Sequence, residues 1–203
     1  MNSSGKNIDM KKFMANQVKE FENVFGQGNV NAQMLIREVK SADQLNDFES
    51  LIDIQAGNKF EKTKDGKTIG GDAQMGGKFL RLNSESIDEK GNFIDKKTLI
   101  HEIGHTGGLY HTFEPKKEGK LANGKPAPGA MQSFYNSSNS PYVEANFMNY
   151  TSNAVDAGTL GPSVNAVRFF NNTVGKATQG QVQTIVTNLY NGNLNYNNIP
   201  KKK

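Results

Sequence analysis

The chain has 203 residues, enough for one domain with its own core. Hydrophobic residues make up 35% and charged residues 22%, a globular balance, and no stretch approaches the roughly 20 apolar residues that span a bilayer. There is no cysteine, which excludes disulfides and thiolate metal sites; the net charge of +4 sits in solvated lysine runs without the aromatic-interleaved stripe of a nucleic-acid binder.

Residues 1–8 are polar, lack the apolar core of a signal peptide and read as disordered. Met10, Phe13, Met14, Val18, Phe21, Val24 and Phe25 then recur at helical spacing, predicting an amphipathic helix that stops at Gly26 and Gly28. Val30 to Val39 reads as a strand around Met34, Leu35 and Ile36. In Ser41 to Ile54, Leu45, Phe48, Leu51 and Ile52 suggest a short helix. Asn58 to Lys67 carries Asp65-Gly66 and reads as a hairpin tip. Thr68 to Met75 and Lys78 to Leu82 form two strands joined tightly at Gly76-Gly77, and Asp88 to Asn92 is a turn.

Asp95 to Gly107 predicts a helix capped by Asp95, with Thr98, Leu99, Ile100 and Ile103 as its apolar face. Glu114 to Ala130, rich in Lys, Gly and Pro, reads as a long loop. Thr178 and Gln181 make a capping box, followed by an amphipathic helix through Val182, Ile185, Val186, Leu189 and Tyr190 that Gly192 stops. This order predicts an α+β fold in a single domain over 1–203. Its N-terminal subdomain covers about 9–108 and its C-terminal subdomain about 109–192, with a loose tail from 193.

The chemistry is concentrated between His101 and His111, where all three histidines of the chain lie. His101 and His105 are four apart, so a helix presents both rings on one side, within reach of one metal ion. His111 reaches the same ion only if the chain reverses, and Gly108, beside Gly107, is the residue to reverse it. Three imidazoles leave a fourth position open, the arrangement of a catalytic rather than a structural Zn2+. Zinc brings the pKa of water from 15.7 towards about 7, and Glu102, next to a ligand, is placed to take the proton and hand it to a leaving amine. The competing readings are incidental histidines on a surface helix and a zinc ion that only holds the fold together.

With these residues in place, the segment resembles the metzincin clan of zinc metallopeptidases. Leu109-Tyr110-His111-Thr112-Phe113 and Asn146-Phe147-Met148-Asn149-Tyr150-Thr151 look most like the pappalysin-type family. The resemblance implies a zincin domain: a small twisted mixed sheet, an active-site helix and an irregular C-terminal subdomain ending in a helix. It implies a secreted or exported endopeptidase acting on a protein or peptide substrate, with Met148 as an apolar floor under the zinc. Tyr150 would be an extra zinc ligand or a hydrogen-bond partner of the tetrahedral intermediate. It also implies that Gly70 to Gln74 is an edge strand pairing with substrate backbone. Calcium occurs in the family, but no loop here has regular calcium spacing and none is assigned. The chain departs from the family at Gly107, where a bulky apolar residue is usual, at Asn149, where Asp is usual, and in lacking the family's disulfides. A zinc-stabilised binding module without turnover, and a protease effector released from a longer secreted protein, are the alternative expectations.

Overall fold

The computed structural model describes residues 1–26, 29–62, 66, 68–111, 146–148, 176–177 and 179–195. Its elements are helix α1 (Met10–Phe25), strands β1 (Leu51–Gln55), β2 (Gly71–Ala73) and β3 (Phe79–Asn83), and helices α2 (Thr98–Thr106) and α3 (Gln179–Tyr190). The class is α+β with a small mixed sheet in the order β1-β3-β2. β1 runs parallel to β3, with Leu51 opposite Phe79 and Gln55 opposite Asn83. β2 runs antiparallel to β3, with Gly71 opposite Leu82 and Ala73 opposite Leu80.

Alternation along the strands divides the apolar residues between two faces. Ile54, Leu80 and Leu82 point to the helices and pack with Ile8, Phe13, Ile87, Phe93 and Leu99. Leu51 and Phe79 point the other way, to Val39. A further cluster joins the end of α1 to the back of α2, through Val24, Phe25, Ile100, Leu109, Phe147 and Met148. α2 thus has apolar contacts on two sides, and Ile103 borders both clusters.

Local signals account for much of this. The Asp9 carboxylate accepts from the Lys12 amide (2.9 Å) and caps α1, which ends at Gly26. The two strands around Gly76-Gly77 form the β2–β3 hairpin, and Lys62 bridges Thr68 across the tip at Gly66. The turn at Asp88–Asn92 closes through Asp88 N to Asn92 O (2.9 Å). α2 begins at Thr98, later than expected: the Asp95 side chain accepts from Lys97 N (3.1 Å), and the Asp95 carbonyl accepts from Thr98 N.

Three expectations are corrected. Residues 1–8 are ordered against the sheet: Ile54 N donates to Met1 O (3.0 Å) and Ser3 N to Ile54 O (2.9 Å), so the chain start runs parallel to β1. The stretch from Val30 to Val39 is not a strand. Ala32, Met34 and Ile36 are half-buried and Leu35 is exposed, the alternation of a strand, yet the segment joins no sheet, and β1 pairs with β3 and with the chain start at Asn2 instead. The segment from Ser41 to Ile54 is not a helix but a single turn at Ala42–Gln44 followed by β1; pairing with β3 overrides the helical spacing of its apolar residues. The loop from Glu114 to Ala130 and Thr178 of the capping box lie outside the described residues. Among the described residues no helix is long and apolar enough to cross a membrane.

Candidate metal centre

α2 carries the centre. One turn apart, the His101 and His105 rings lie at right angles with centroids 4.8 Å apart, on the side of the helix left free by Leu99, Ile100 and Ile103. The helix then ends in a Schellman motif: Gly108 N donates to His105 O (2.9 Å) and Leu109 N to Gly104 O (2.9 Å). The motif needs a left-handed residue, and Gly108 supplies it with φ of +83°. Gly76 N donates to His105 O as well (2.9 Å), tying the β2–β3 turn to the same helix end.

The reversal brings His111 back. Its Nε2 lies 3.1 Å from His101 Nε2 and 3.1 Å from His105 Nε2, and the ligand atoms of all three histidines lie within 4.8 Å of one another. Two imidazole nitrogens each about 2.0–2.1 Å from a tetrahedral metal are about 3.4 Å apart. The far ring nitrogens of the helical pair are held by backbone carbonyls: His101 Nδ1 donates to Phe147 O (2.9 Å) and His105 Nδ1 to Leu109 O (2.8 Å). A carbonyl only accepts, so Nδ1 carries the proton in both rings and each Nε2 presents a lone pair. His111 Nε2 faces both of these lone pairs. A cation at the centre satisfies all three. His101 is held well below its ordinary pKa of 6.5, by burial first and then by the His105 and His111 rings, which keeps it in the neutral form a metal needs. The three histidines therefore fit a metal ion.

Met148 and β2 flank the helix. Met148 is fully buried beneath the helix, where a Cβ on Gly104 would come within 2.2 Å of its Sδ. Glu102 is buried against β2, so near that a Cβ on Gly71 would lie 3.1 Å from Glu102 Cγ. Burial, with Asp72 as a second cause, pushes the Glu102 carboxyl up to about 8. On β2 itself Asp72 pairs with Arg81, whose Nε donates to Oδ1 at 2.7 Å and whose guanidinium lies over the Phe60 ring. β2 is an edge strand of the sheet, with no further strand beside it among the described residues.

The structure brings together His101, His105, His111, Gly108 and Met148, and places Glu102 on the same helix. Tyr150 and Asn149 lie outside the described residues. Sequence reasoning missed the supporting polar residues. Asn146 and Gln181 join their side-chain amides reciprocally, Nδ2 to Oε1 at 3.0 Å and Nε2 to Oδ1 at 2.9 Å. Asn188 Nδ2 donates to Gly107 O (3.2 Å). For Gln181 and Asn188 the one signal available was their type: amides inside an otherwise apolar helix pattern. Gly107 also takes on a different meaning. It is right-handed, and a Cβ on it would meet Ile185 Cγ1 at 2.8 Å, so a bulky residue there would collide with α3.

No protein-family model, no curated protein and no solved structure matches this chain, and the chemistry of the centre rests on its own residues.

Proposed function

We propose that the chain is a zinc-dependent endopeptidase of metzincin type. The observation that carries this reading is the convergence of three histidine Nε2 atoms whose helical pair is fixed in one tautomer by backbone carbonyls. His101, His105 and His111 would hold the ion; a donor set of neutral imidazoles with no thiolate suits zinc. When bound, the metal supplies Lewis acidity, which makes water acidic and polarises a carbonyl.

The chain's own residues supply the rest. Glu102, raised by burial, would be favoured in its ionised form by a cation held by the histidines; that carboxylate would accept the proton of the attacking water and return it to the leaving amine. The free edge of β2, beside Glu102, pairs with the substrate backbone and holds the scissile bond over the helix; main-chain pairing accepts many side chains. By the resemblance, Tyr150 would serve as an extra zinc ligand or as a hydrogen-bond donor to the oxyanion that develops on the substrate.

Metal analysis combined with peptide-library cleavage, on wild type and Glu102→Ala together, tests the reading. About one zinc per chain is expected in both proteins. Cleavage should be abolished by a chelator and reduced on the order of 10²–10⁴-fold in Glu102→Ala. Wild-type rates in Glu102→Ala would sink the mechanism. Bound zinc with no cleavage of any peptide would favour the silent binding module.

A further inference from the structure

α3 buries three polar residues and only part of its apolar stripe. Gln181 and Asn188 are 0% exposed and Thr184 5%, whereas Val186, Leu189 and Tyr190 are 58%, 57% and 91% exposed. Val182 and Ile185 pack against the core beside them, but buried amides cost free energy unless hydrogen-bonded, so their partners fix the position of the helix together with that apolar contact. Those partners are the two backbone segments that orient the histidines.

We infer that α3 is a clamp on the metal centre, with Gln181 and Asn188 as positioning residues for the three ligands. The inference rests on the reading of those histidines as a metal site. The first tie runs from Gln181 to Asn146 by the reciprocal amide pair. Asn146 Oδ1 also accepts from Met148 N (3.0 Å), which shapes the turn between them. That turn presents the Phe147 carbonyl to His101 Nδ1. The second tie runs from Asn188 to the Gly107 carbonyl, immediately before the left-handed Gly108. That reversal sets the Leu109 carbonyl on His105 Nδ1 and delivers His111. Between the ties, Ile185 lies against Gly107, where no side chain fits. One helix thus holds both the carbonyl behind His101 and the bend that sets the carbonyl behind His105 and delivers His111.

The consequence is that metal affinity depends on the docking of α3. Removing partners that orient metal ligands typically costs 10–100-fold in affinity. Gln181 and Asn188 act one bond further out, so about 10-fold is expected for each. The experiment measures zinc affinity by competition with a chromogenic chelator, and the visible spectrum of the Co2+-loaded protein. It uses the full chain as wild type, Gln181→Leu, Asn188→Leu and, as control, the exposed Val186→Ala. The two amide variants should bind zinc about 10-fold more weakly and show shifted cobalt bands, and Val186→Ala should show neither. A folded amide variant with wild-type affinity and an unchanged cobalt spectrum overturns the clamp even if its melting temperature falls, because that pattern is mere stability. If Gln181→Leu does not fold, Gln181→Glu, which keeps the acceptor for Asn146 and loses the donor, is read in the same two assays with the same criterion. Wild type that takes up neither metal sinks the metal-centre reading and the clamp with it; wild-type uptake with unaffected variants sinks the clamp alone.

Discussion

Gly104 sits between the two helical ligands and has no room for a side chain. A Cβ there would lie 2.2 Å from Met148 Sδ and 3.0 Å from Phe147 Cε2. The first contact is far inside any allowed distance, so Met148 would have to move, and the turn that carries the Phe147 carbonyl would move with it. Gly104→Ala is expected to destabilise the protein by about 1–3 kcal/mol through overpacking. It should also weaken zinc binding, because His101 Nδ1 loses its aligned acceptor. Chemical denaturation and chelator competition measure the two effects; unchanged values in both would mean that Met148 does not lie where the contact puts it. The glycine next to the reversal belongs to the same scale. Gly107 is small because Ile185 approaches it, and Gly108 is glycine because its φ is positive; neighbouring positions share a residue type for two different physical reasons.

Among the elements, α2 is built around a buried charge at its start. Lys97 is 4% exposed, and burial pushes its ammonium from 10.5 down to about 8. Below about pH 8 folded and unfolded chains both carry this proton. Between about 8 and 10.5 the folded chain has released it and the unfolded chain has not. The unfolded state then binds more protons, so this residue makes stability rise with pH across that window. Replacing it should remove the rise: Lys97→Met is expected to show a flatter dependence of unfolding free energy than wild type between pH 8 and 10, measured by urea denaturation. Parallel curves would show that the ammonium is not desolvated.

How readily the elements were legible follows from where their partners lie. α1, the β2–β3 hairpin and α2 were readable because periodicity, caps and turn glycines act within a few residues. β1 was not, because its partner β3 is 28 positions away, as between Leu51 and Phe79, and nothing in Leu45, Phe48, Leu51 and Ile52 records that pairing. α3 was recognised as a helix, but of its apolar stripe only Val182 and Ile185 pack against the core, while Val186, Leu189 and Tyr190 are exposed. The residues that decide its orientation bond across 35 and 81 positions, to Asn146 and Gly107.

For the molecule as a whole, the metal site joins segments that have little else in common. His101 and His105 belong to α2, His111 follows the reversal, and the turn and α3 close the cluster from behind. A ligand that binds only the folded state stabilises it by mass action, by about 2.7 kcal/mol when its free concentration is 100 times the dissociation constant. For a chain of 203 residues this corresponds to a rise of roughly 5–10 °C in melting temperature. Zinc is expected to produce that rise and a chelator to reverse it, in calorimetry or fluorescence-monitored melting. Equal melting temperatures with excess zinc and with chelator would show that the three histidines do not hold the ion in the folded protein.

The sequence by itself determined the α+β class, the helix that carries two ligands, the need for a reversal at Gly108 and the identity of the third histidine. These follow from helical spacing, from glycine's access to positive φ and from the scarcity of histidine, all of which act locally. Only the tertiary structure decided which carbonyls lock the histidine tautomers, that Met148 lies under Gly104, and that a downstream helix turns buried amides towards the site beside only part of its apolar stripe. Those are contacts between segments distant in the chain. A hydrogen bond to a backbone carbonyl leaves no mark on the residue type that offers it, so the support of this centre becomes visible only where the segments meet.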